Sequence, residues 1–177
     1  MAFSVGETVE RCANWRVAVA ALVGAAGCAA GLFWRQGRLA GLDLLDSRGW
    51  YTPAEAAALF DALDRLDADA RVVYAATALT IDMLFPVFYG VLFAVVLFRL
   101  FRSGPPLYLL PLALALGDAV ENLTVAALAL SHDGAPSPLA WPAALFTLVK
   151  TALLVATLGA MGMGVVRSLR VRLRRLP

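Results

Sequence analysis

Residues 140–166, AWPAALFTLVKTALLVATLGAMGMGVV, form an apolar run that contains one charged side chain, Lys150. Crossing roughly 30 Å of hydrocarbon takes about 20 residues of helix, and this run is long enough to do so. Lys150 is the only lysine of the chain, because every other basic residue is arginine. An ammonium group is costly in hydrocarbon. The run therefore predicts a membrane helix in which Lys150 has a buried partner.

Three further segments have the same apolar character, at approximately residues 15–34, 72–98 and 106–130. The whole chain of 177 residues is 61% hydrophobic and 16% charged, which is too apolar for an ordinary soluble domain. A helix satisfies its own backbone polar groups in lipid, and no series of short alternating strands appears in the sequence. We predict an all-α integral membrane protein, a single domain over residues 1–177 built as a four-transmembrane-helix bundle.

The first segment has a second interpretation. Residues 25–28, AAGC, resemble the cleavage site of a bacterial lipoprotein, which would make the segment a secretory signal. A large aliphatic residue is expected where Ala25 stands, however, and Glu7 and Glu10 dilute the positive charge expected upstream. We therefore favour a retained membrane helix.

Arginine placement predicts the orientation of the bundle. With four crossings, the N-terminus, the middle loop and the C-terminal tail (167–177) share one side, which is the more basic one. We expect a multi-pass protein of the inner (plasma) membrane with both termini in the cytoplasm. The basic tail is expected to contact anionic membrane lipids rather than nucleic acid. The arginines of this side are Arg11, Arg16, Arg99, Arg102, Arg167, Arg170, Arg172, Arg174 and Arg175.

The connection between the first two crossings contains an amphipathic helix, predicted at residues 53–69. Thr52 is a typical N-cap residue, Pro53 suits the first helical position, and Glu55 completes a capping box. One face carries only apolar side chains and the other carries acids. We expect this helix to lie over the external mouth of the bundle. The predicted apolar stripe is Ala58, Leu59, Ala62, Leu63 and Leu66.

Five polar residues fall inside the predicted crossings and form what we call the charged layer: Asp82, Asp118, Glu121, Asn122 and Lys150. Counted from the external ends of the helices at 1.5 Å per residue, all five lie about 13 to 20 Å deep. Charged residues in membrane helices face the interior and find partners. We predict that Lys150 pairs with Asp118 or Glu121.

Three neighbours share faces with this layer. Tyr89 and Pro86 lie on the face of Asp82, and Thr147 lies on the face of Lys150. Proline cannot donate to the carbonyl four residues earlier, which belongs to Asp82. We therefore expect Pro86 to act as a hinge with a free carbonyl beside a carboxylate.

The charge balance of the layer predicts a ligand. Its three carboxylates face one ammonium group, so either an acid carries a proton or a cation binds. No cofactor motif, metal-ligand spacing or disulfide pattern accompanies it, and we expect neither a cofactor nor a metal.

Three function classes fit these residues. The first is a site for a small polar or cationic ligand or a lipid head group, with transport as one use of it. The second is a membrane-embedded acid/base enzyme acting on a lipid-soluble substrate. The third is an assembly subunit whose charged layer meets a second copy or another membrane protein. The inner halves of the crossings are apolar, so we expect the site to open outward or sideways and favour ligand binding. The predicted binding residues are Asp82, Tyr89, Asp118, Glu121, Asn122, Thr147 and Lys150.

Overall fold

The computed structural model describes residues 5–102 and 106–173, and these residues form helices and no strand. Within this part of the chain, four helical stretches are long and apolar enough to cross a membrane: Trp15–Arg38, Ala70–Leu100, Leu109–Leu130 and Ala140–Val171. The predicted all-helical architecture with four membrane-length spans is confirmed. The helices are α1 (Val5–Cys12), α2 (Trp15–Arg38), α3 (Pro53–Leu66), α4 (Ala70–Ala78), α5 (Ile81–Leu100), α6 (Leu109–Leu130) and α7 (Ala140–Leu173).

Helix α5 is the central element, because it packs against α2, α6 and α7. Glycines allow the backbones to approach closely at two of these contacts. A Cβ atom at Gly90 would lie 2.9 Å from the Cβ of Ala115 on α6, and one at Gly24 would lie 2.5 Å from the ring of Phe88. Small residues serve this purpose commonly in membrane helix pairs. The close approach brings the polar faces of α5 and α6 together.

The sequence predicted one continuous helix for the second span. In the structure this span is broken between α4 and α5. Thr77 donates its hydroxyl to the carbonyls of Val73 and Tyr74, and Thr80 donates its hydroxyl to the carbonyl of Ala76. Thr80 itself has non-helical backbone angles, φ −121° and ψ −88°. Side chains that bond backward in this way compete with the helical pattern. Helix α5 runs without interruption through Pro86, so the described break lies upstream of the proline.

This break creates a helix N-terminus within the second span. Asp82 lies in the first turn of α5. The N-terminal end of a helix dipole stabilises a negative charge, so the break itself favours a carboxylate at this depth.

Helix α3 begins as predicted and ends earlier. The Thr52 backbone N–H donates to Glu55 Oε2 (2.7 Å), and the Glu55 N–H donates to Thr52 Oγ1 (3.3 Å). The Thr52 hydroxyl also donates to Glu55 Oε2 (2.8 Å), and the two bonds that this carboxylate accepts, from the Thr52 N–H and from the hydroxyl, hold the pKa of Glu55 below its usual value. The helix stops at Leu66 because Asp67 is extended, with φ −159°. The buried face is rotated from the predicted stripe and consists of Ala56, Ala57, Leu59, Phe60 and Leu63.

The segment 39–52 and α3 cover one end of the bundle, which we call the α3 end. Their buried apolar residues form one core with the adjoining ends of α4, α6 and α7. His132 Nε2 lies 2.8 Å from Asp61 Oδ1, and the centre of its ring lies 5.3 Å from that of Phe60. Arg71 donates to the carbonyls of Ala129 and His132, which ties the 131–139 connection to α4. The α3 end is therefore a packed cap.

Two helices extend beyond their predicted ends. Helix α2 continues past residue 34 to Arg38, which brings Arg35 into the helix. Helix α7 continues past residue 166 to Leu173 and includes much of the basic tail. The rest of that tail, residues 174–177, lies outside the described residues.

Candidate functional site

The ammonium group of Lys150 lies among the acids of α6. Its Nζ atom is 2.6 Å from Glu121 Oε2 and 3.4 Å from Asp118 Oδ1. It also donates to the backbone carbonyl of Asp46 at 3.3 Å. The Glu121 side chain is 0% exposed. The predicted pairing of Lys150 with α6 is confirmed, and Glu121 is its closest carboxylate.

Two hydroxyl groups complete the surroundings of these acids. Thr147 Oγ1 donates to Glu121 Oε1 at 2.7 Å, and the Tyr89 hydroxyl donates to Asp118 Oδ2 at 2.6 Å. Hydrogen bonds to ionised acceptors are about twice as strong as neutral ones. Both predicted neighbours therefore act on a carboxylate of α6, one from α7 and one from α5.

The backbone carbonyl of Asp82, which has no helical donor because of Pro86, is hydrogen-bonded to a side chain. Pro86 has no N–H to offer the carbonyl of Asp82, and Asn122 Nδ2 donates to that oxygen at 2.8 Å. Asn122 is 1% exposed and Asp82 is 6% exposed. A side chain of α6 thus replaces the missing backbone bond of α5 and joins the two helices.

Replacing Asn122 with leucine is expected to lower the free energy of unfolding by about 1–3 kcal/mol, because it leaves the Asp82 carbonyl buried without a donor. The loss should be smaller in a Pro86→Ala background, where residue 86 regains its backbone N–H. Denaturant titration of the purified variants in mixed micelles measures both. Leu123→Ala, at a side chain 52% exposed, is the control. Equal losses of unfolding free energy in the two backgrounds would show that Asn122 does not compensate for Pro86.

Arg35 is a member of the site that sequence reasoning placed elsewhere, in the external connection. Its Nη2 atom lies 2.8 Å from Asp46 Oδ2 and its Nη1 atom lies 3.4 Å from Asp82 Oδ2. Its guanidinium carbon lies 5.6 Å from the centre of the Tyr74 ring. Arg35 is 4% exposed because α2 runs past it. The sequence does contain a signal for this burial, because Arg35 lies seven residues after Cys28 and therefore on the same buried face of α2.

Asp46 connects the two cations and was also missed. Its carboxylate binds Arg35 and accepts a bond from the Tyr74 hydroxyl at 3.4 Å, while its carbonyl accepts from Lys150. Tyr51, from the same segment, is 0% exposed, and burial raises its pKa to about 12. The segment 39–52 is therefore bound to the charged layer through its side chains and its backbone.

The charges of the layer and of its two added partners, Arg35 and Asp46, do not cancel. Two cations, Arg35 and Lys150, each lie between two carboxylates: Asp46 and Asp82 for the first, Asp118 and Glu121 for the second. Four acids against two cations leave a formal surplus of two negative charges. A surplus in a site of low dielectric favours uptake of a proton or a cation.

A cavity of about 470 Å³ opens beside this layer, between α5 and α7. We call it the α5–α7 cleft. Helix α6 contributes Leu114 and Asp118 to its lining, and residues 46–49 cover its polar end. Phe85, Tyr89 and Phe93 form one aromatic wall, with neighbouring ring centres 5.2 and 5.8 Å apart. The cleft is lined by Asp46, Ser47, Arg48, Gly49, Phe85, Tyr89, Phe93, Leu114, Asp118, Lys150, Thr151 and Leu154.

The structure divides the predicted site residues into two groups. Tyr89, Asp118 and Lys150 line the cleft. The others are not among its lining residues: Asp82 is partnered by Arg35, and Glu121 binds Lys150 and Thr147. Members of the second group can position the first group but do not reach a ligand in the cleft. This second group is Asp82, Glu121, Asn122, Thr147 and Pro86.

A larger depression of about 540 Å³ lies along Met163, Val166, Arg167, Arg170 and Val171. All of its lining residues belong to α7, so it is a groove on one helix rather than an enclosed site. Among the described residues, no group of His, Cys, Asp and Glu side chains is arranged to hold a metal ion.

Three comparisons of this chain with known proteins gave no match. A scan of protein-family models, a search of curated proteins and a search of solved structures each found no match to this chain.

Proposed function

We propose that this protein binds a membrane-dissolved amphiphile in the α5–α7 cleft. The polar head group of the ligand lies against Asp118, Lys150 and the hydroxyl of Tyr89, and its apolar part lies along Phe93 and Leu154. One observation carries the proposal: a cavity of about 470 Å³ joins charged groups to an aromatic and aliphatic wall inside the membrane spans. Ligand sites typically have about 300–1,000 Å³ and a few convergent polar groups.

The polarity of the cleft supports an amphiphile over a simple ion. Its charged end holds Asp118 and Lys150, and its other end holds Phe93, Leu114 and Leu154. Leu154 is 38% exposed on the outer surface of the helices, where lipid would lie. A ligand dissolved in the membrane can therefore enter sideways, with its chain remaining among apolar side chains.

The orientation proposed from the sequence places this site in the external half of the plasma membrane. Arginines concentrate at the end of the bundle opposite to α3, which favours a cytoplasmic location for that end and for both termini. Cysteine labelling tests the orientation: single cysteines at Ser137 and Arg170 should be modified from opposite sides of a sealed membrane. Modification of both from one side would overturn it.

Blocking the cleft is the direct test of ligand binding. Leu154→Trp places a bulky ring in the cleft and should reduce labelling by photoactivatable C16 amphiphiles by roughly tenfold, a loss equivalent to about 1.4 kcal/mol. The panel carries ammonium, phosphocholine and glucoside head groups, so no head group is assumed. Mass spectrometry of the labelled peptides measures the result.

The matched control is Val155→Trp on the same helix. Val155 is 66% exposed and does not line the cleft. This variant should be labelled at the cleft as the parent is. Equal labelling of the parent and of Leu154→Trp by the whole panel would contradict the proposal.

An acid/base enzyme acting on the same lipid-soluble ligand is the second candidate. The observation that favours it is the Tyr89 hydroxyl, 2.6 Å from Asp118 with both groups facing the cleft. A hydroxyl and a carboxylate in contact can exchange a proton with a substrate. The two functions differ in the fate of the captured amphiphile, because a binding protein releases it unchanged. Mass spectrometry of the released ligand distinguishes them.

A further inference from the structure

We infer that the head group held in the α5–α7 cleft is a cation of the ammonium type, bound by Asp118 and by the aromatic wall of α5. This inference rests on the proposed ligand site and names its ligand class. Three independent features of the cleft lead to it: the position of the surplus negative charge, the occupation of the cationic donors, and the chemistry of the wall.

The surplus charge beside Lys150 lies on Asp118. Lys150 Nζ is 2.6 Å from Glu121 but 3.4 Å from Asp118. Glu121 is fully buried, with the ammonium group in close ion-pair contact at Oε2 and the Thr147 hydroxyl donating to Oε1, so a cation or a donor lies at each of its oxygens. Among the described residues, the partners of Asp118 are the more distant ammonium group and the Tyr89 hydroxyl, and Asp118 is the one of these two acids that lines the cleft. The cleft therefore presents a carboxylate whose charge is incompletely compensated.

The two cations that line the cleft, Lys150 and Arg48, already contact acceptors of the protein. Lys150 donates a hydrogen bond to the carbonyl of Asp46 and makes ion-pair contacts with Glu121 and Asp118, which together match the three donors of an ammonium group. Arg48 is held by Asp43, with 3.2 Å between Nε and Oδ2, and its Nε also donates to the Asp43 carbonyl at 3.0 Å. An anionic head group that binds Lys150 would have to displace its contacts with the acids. A cationic head group leaves them in place.

The wall of the cleft is suited to a cation. Phe85, Tyr89 and Phe93 follow one another at four-residue spacing on one face of α5, and all three line the cavity beside Asp118. Ring faces carry negative electrostatic potential and attract ammonium groups, most strongly where water is excluded. A carboxylate next to several aromatic rings is the chemistry that recognises quaternary ammonium groups.

The test compares head groups on one C12 chain. Tritiated amphiphiles with trimethylammonium, phosphocholine, sulfate and maltoside heads are added to the protein in phosphatidylglycerol nanodiscs. Scintillation proximity measures binding, and nanodiscs with the blocked variant Leu154→Trp supply the background. The trimethylammonium amphiphile should bind roughly tenfold more tightly than the sulfate and the maltoside, in keeping with a desolvated cation–π contact. Phosphocholine binding as tight as that of trimethylammonium would identify a phospholipid as the source of the head group, and the absence of phosphocholine binding would identify a cationic amphiphile without a phosphate.

Variants connect that preference to the cleft. Asp118→Asn should abolish the discrimination between trimethylammonium and maltoside, whereas Asp133→Asn in the 131–139 connection should keep it. Phe93→Leu should weaken trimethylammonium binding, and Phe33→Leu, at a ring that is 78% exposed, is its control. If Asp118→Asn does not fold, Phe93→Leu and the head-group series of the parent test whether the cleft prefers a cationic head group.

The failures of the two ideas are distinguishable. If none of the four amphiphiles binds the parent above the Leu154→Trp background, the ligand site itself is wrong. If sulfate or maltoside binds as tightly as trimethylammonium, the ligand site stands and the cationic head group is wrong.

Discussion

Lys150→Met is expected to lower the free energy of unfolding of the purified protein by about 3–5 kcal/mol, because it leaves buried carboxylates without their cation. Glu121 accounts for most of the loss, since its side chain is fully buried and lies 2.6 Å from the ammonium group. Lys150→Arg should also destabilise the protein. Three acceptors surround a compact ammonium group here, and a wide planar guanidinium does not match them.

Double substitutions identify the partner of Lys150. Adding Glu121→Gln to Lys150→Met should recover more stability than adding Asp118→Asn, because removing both members of a buried pair costs less than removing one. Denaturant titration in mixed micelles measures each variant. Arg170→Met removes an exposed cation from the same helix and should remain within about 0.5 kcal/mol of the parent. Parental stability of Lys150→Met would show that the ammonium group is not buried against acids, and the site would lose its basis.

The second large effect is expected at Arg35. Arg35→Met should cost about 3–5 kcal/mol, because Asp46 and Asp82 lose the guanidinium that lies between them. It should also loosen the segment that covers the cleft, since Asp46 holds that segment to α2. Hydrogen exchange of residues 44–52 should therefore accelerate in this variant.

Arg38→Met supplies the control for Arg35. Arg38 lies three residues further along α2, and its side chain is exposed. Its replacement should change neither the stability nor the exchange of residues 44–52 beyond experimental error. If Arg35→Met accelerates exchange throughout the chain without a larger effect on 44–52, Arg35 stabilises the bundle generally and does not hold the covering segment.

The common level of the charged layer along the helices followed from the sequence alone. The ends of the apolar runs predict where each helix would enter hydrocarbon, and the rise per residue then places Asp118, Glu121 and Lys150 at one level. Their pairing followed because unpaired charges are too costly there. The capping box of Thr52 and Glu55 was equally readable, since it depends on residues three apart in the chain.

Tertiary structure decided which residues outside the apolar runs join the layer. Arg35 was placed in the external connection because hydropathy ends the first run before it, whereas the helix continues and turns it inward. Asp46 and Tyr51 belong to a connection whose path depends on the core it covers. Hydrophobic periodicity does not extend into such a segment, so it does not predict which of its side chains are buried.

The rotation of neighbouring helices also decided which acids face a ligand. Helical periodicity shows that Asp118 and Glu121 share a face of α6, but not how that face is turned relative to α5 and α7. In the structure Asp118 is turned into the α5–α7 cleft and Glu121 lies behind it. Side-chain packing between helices sets this rotation, through contacts such as that of Gly90 with Ala115. The sequence alone therefore predicted a charged layer. The packing of α5, α6 and α7 decided that Asp118 and Lys150 of this layer line a cleft.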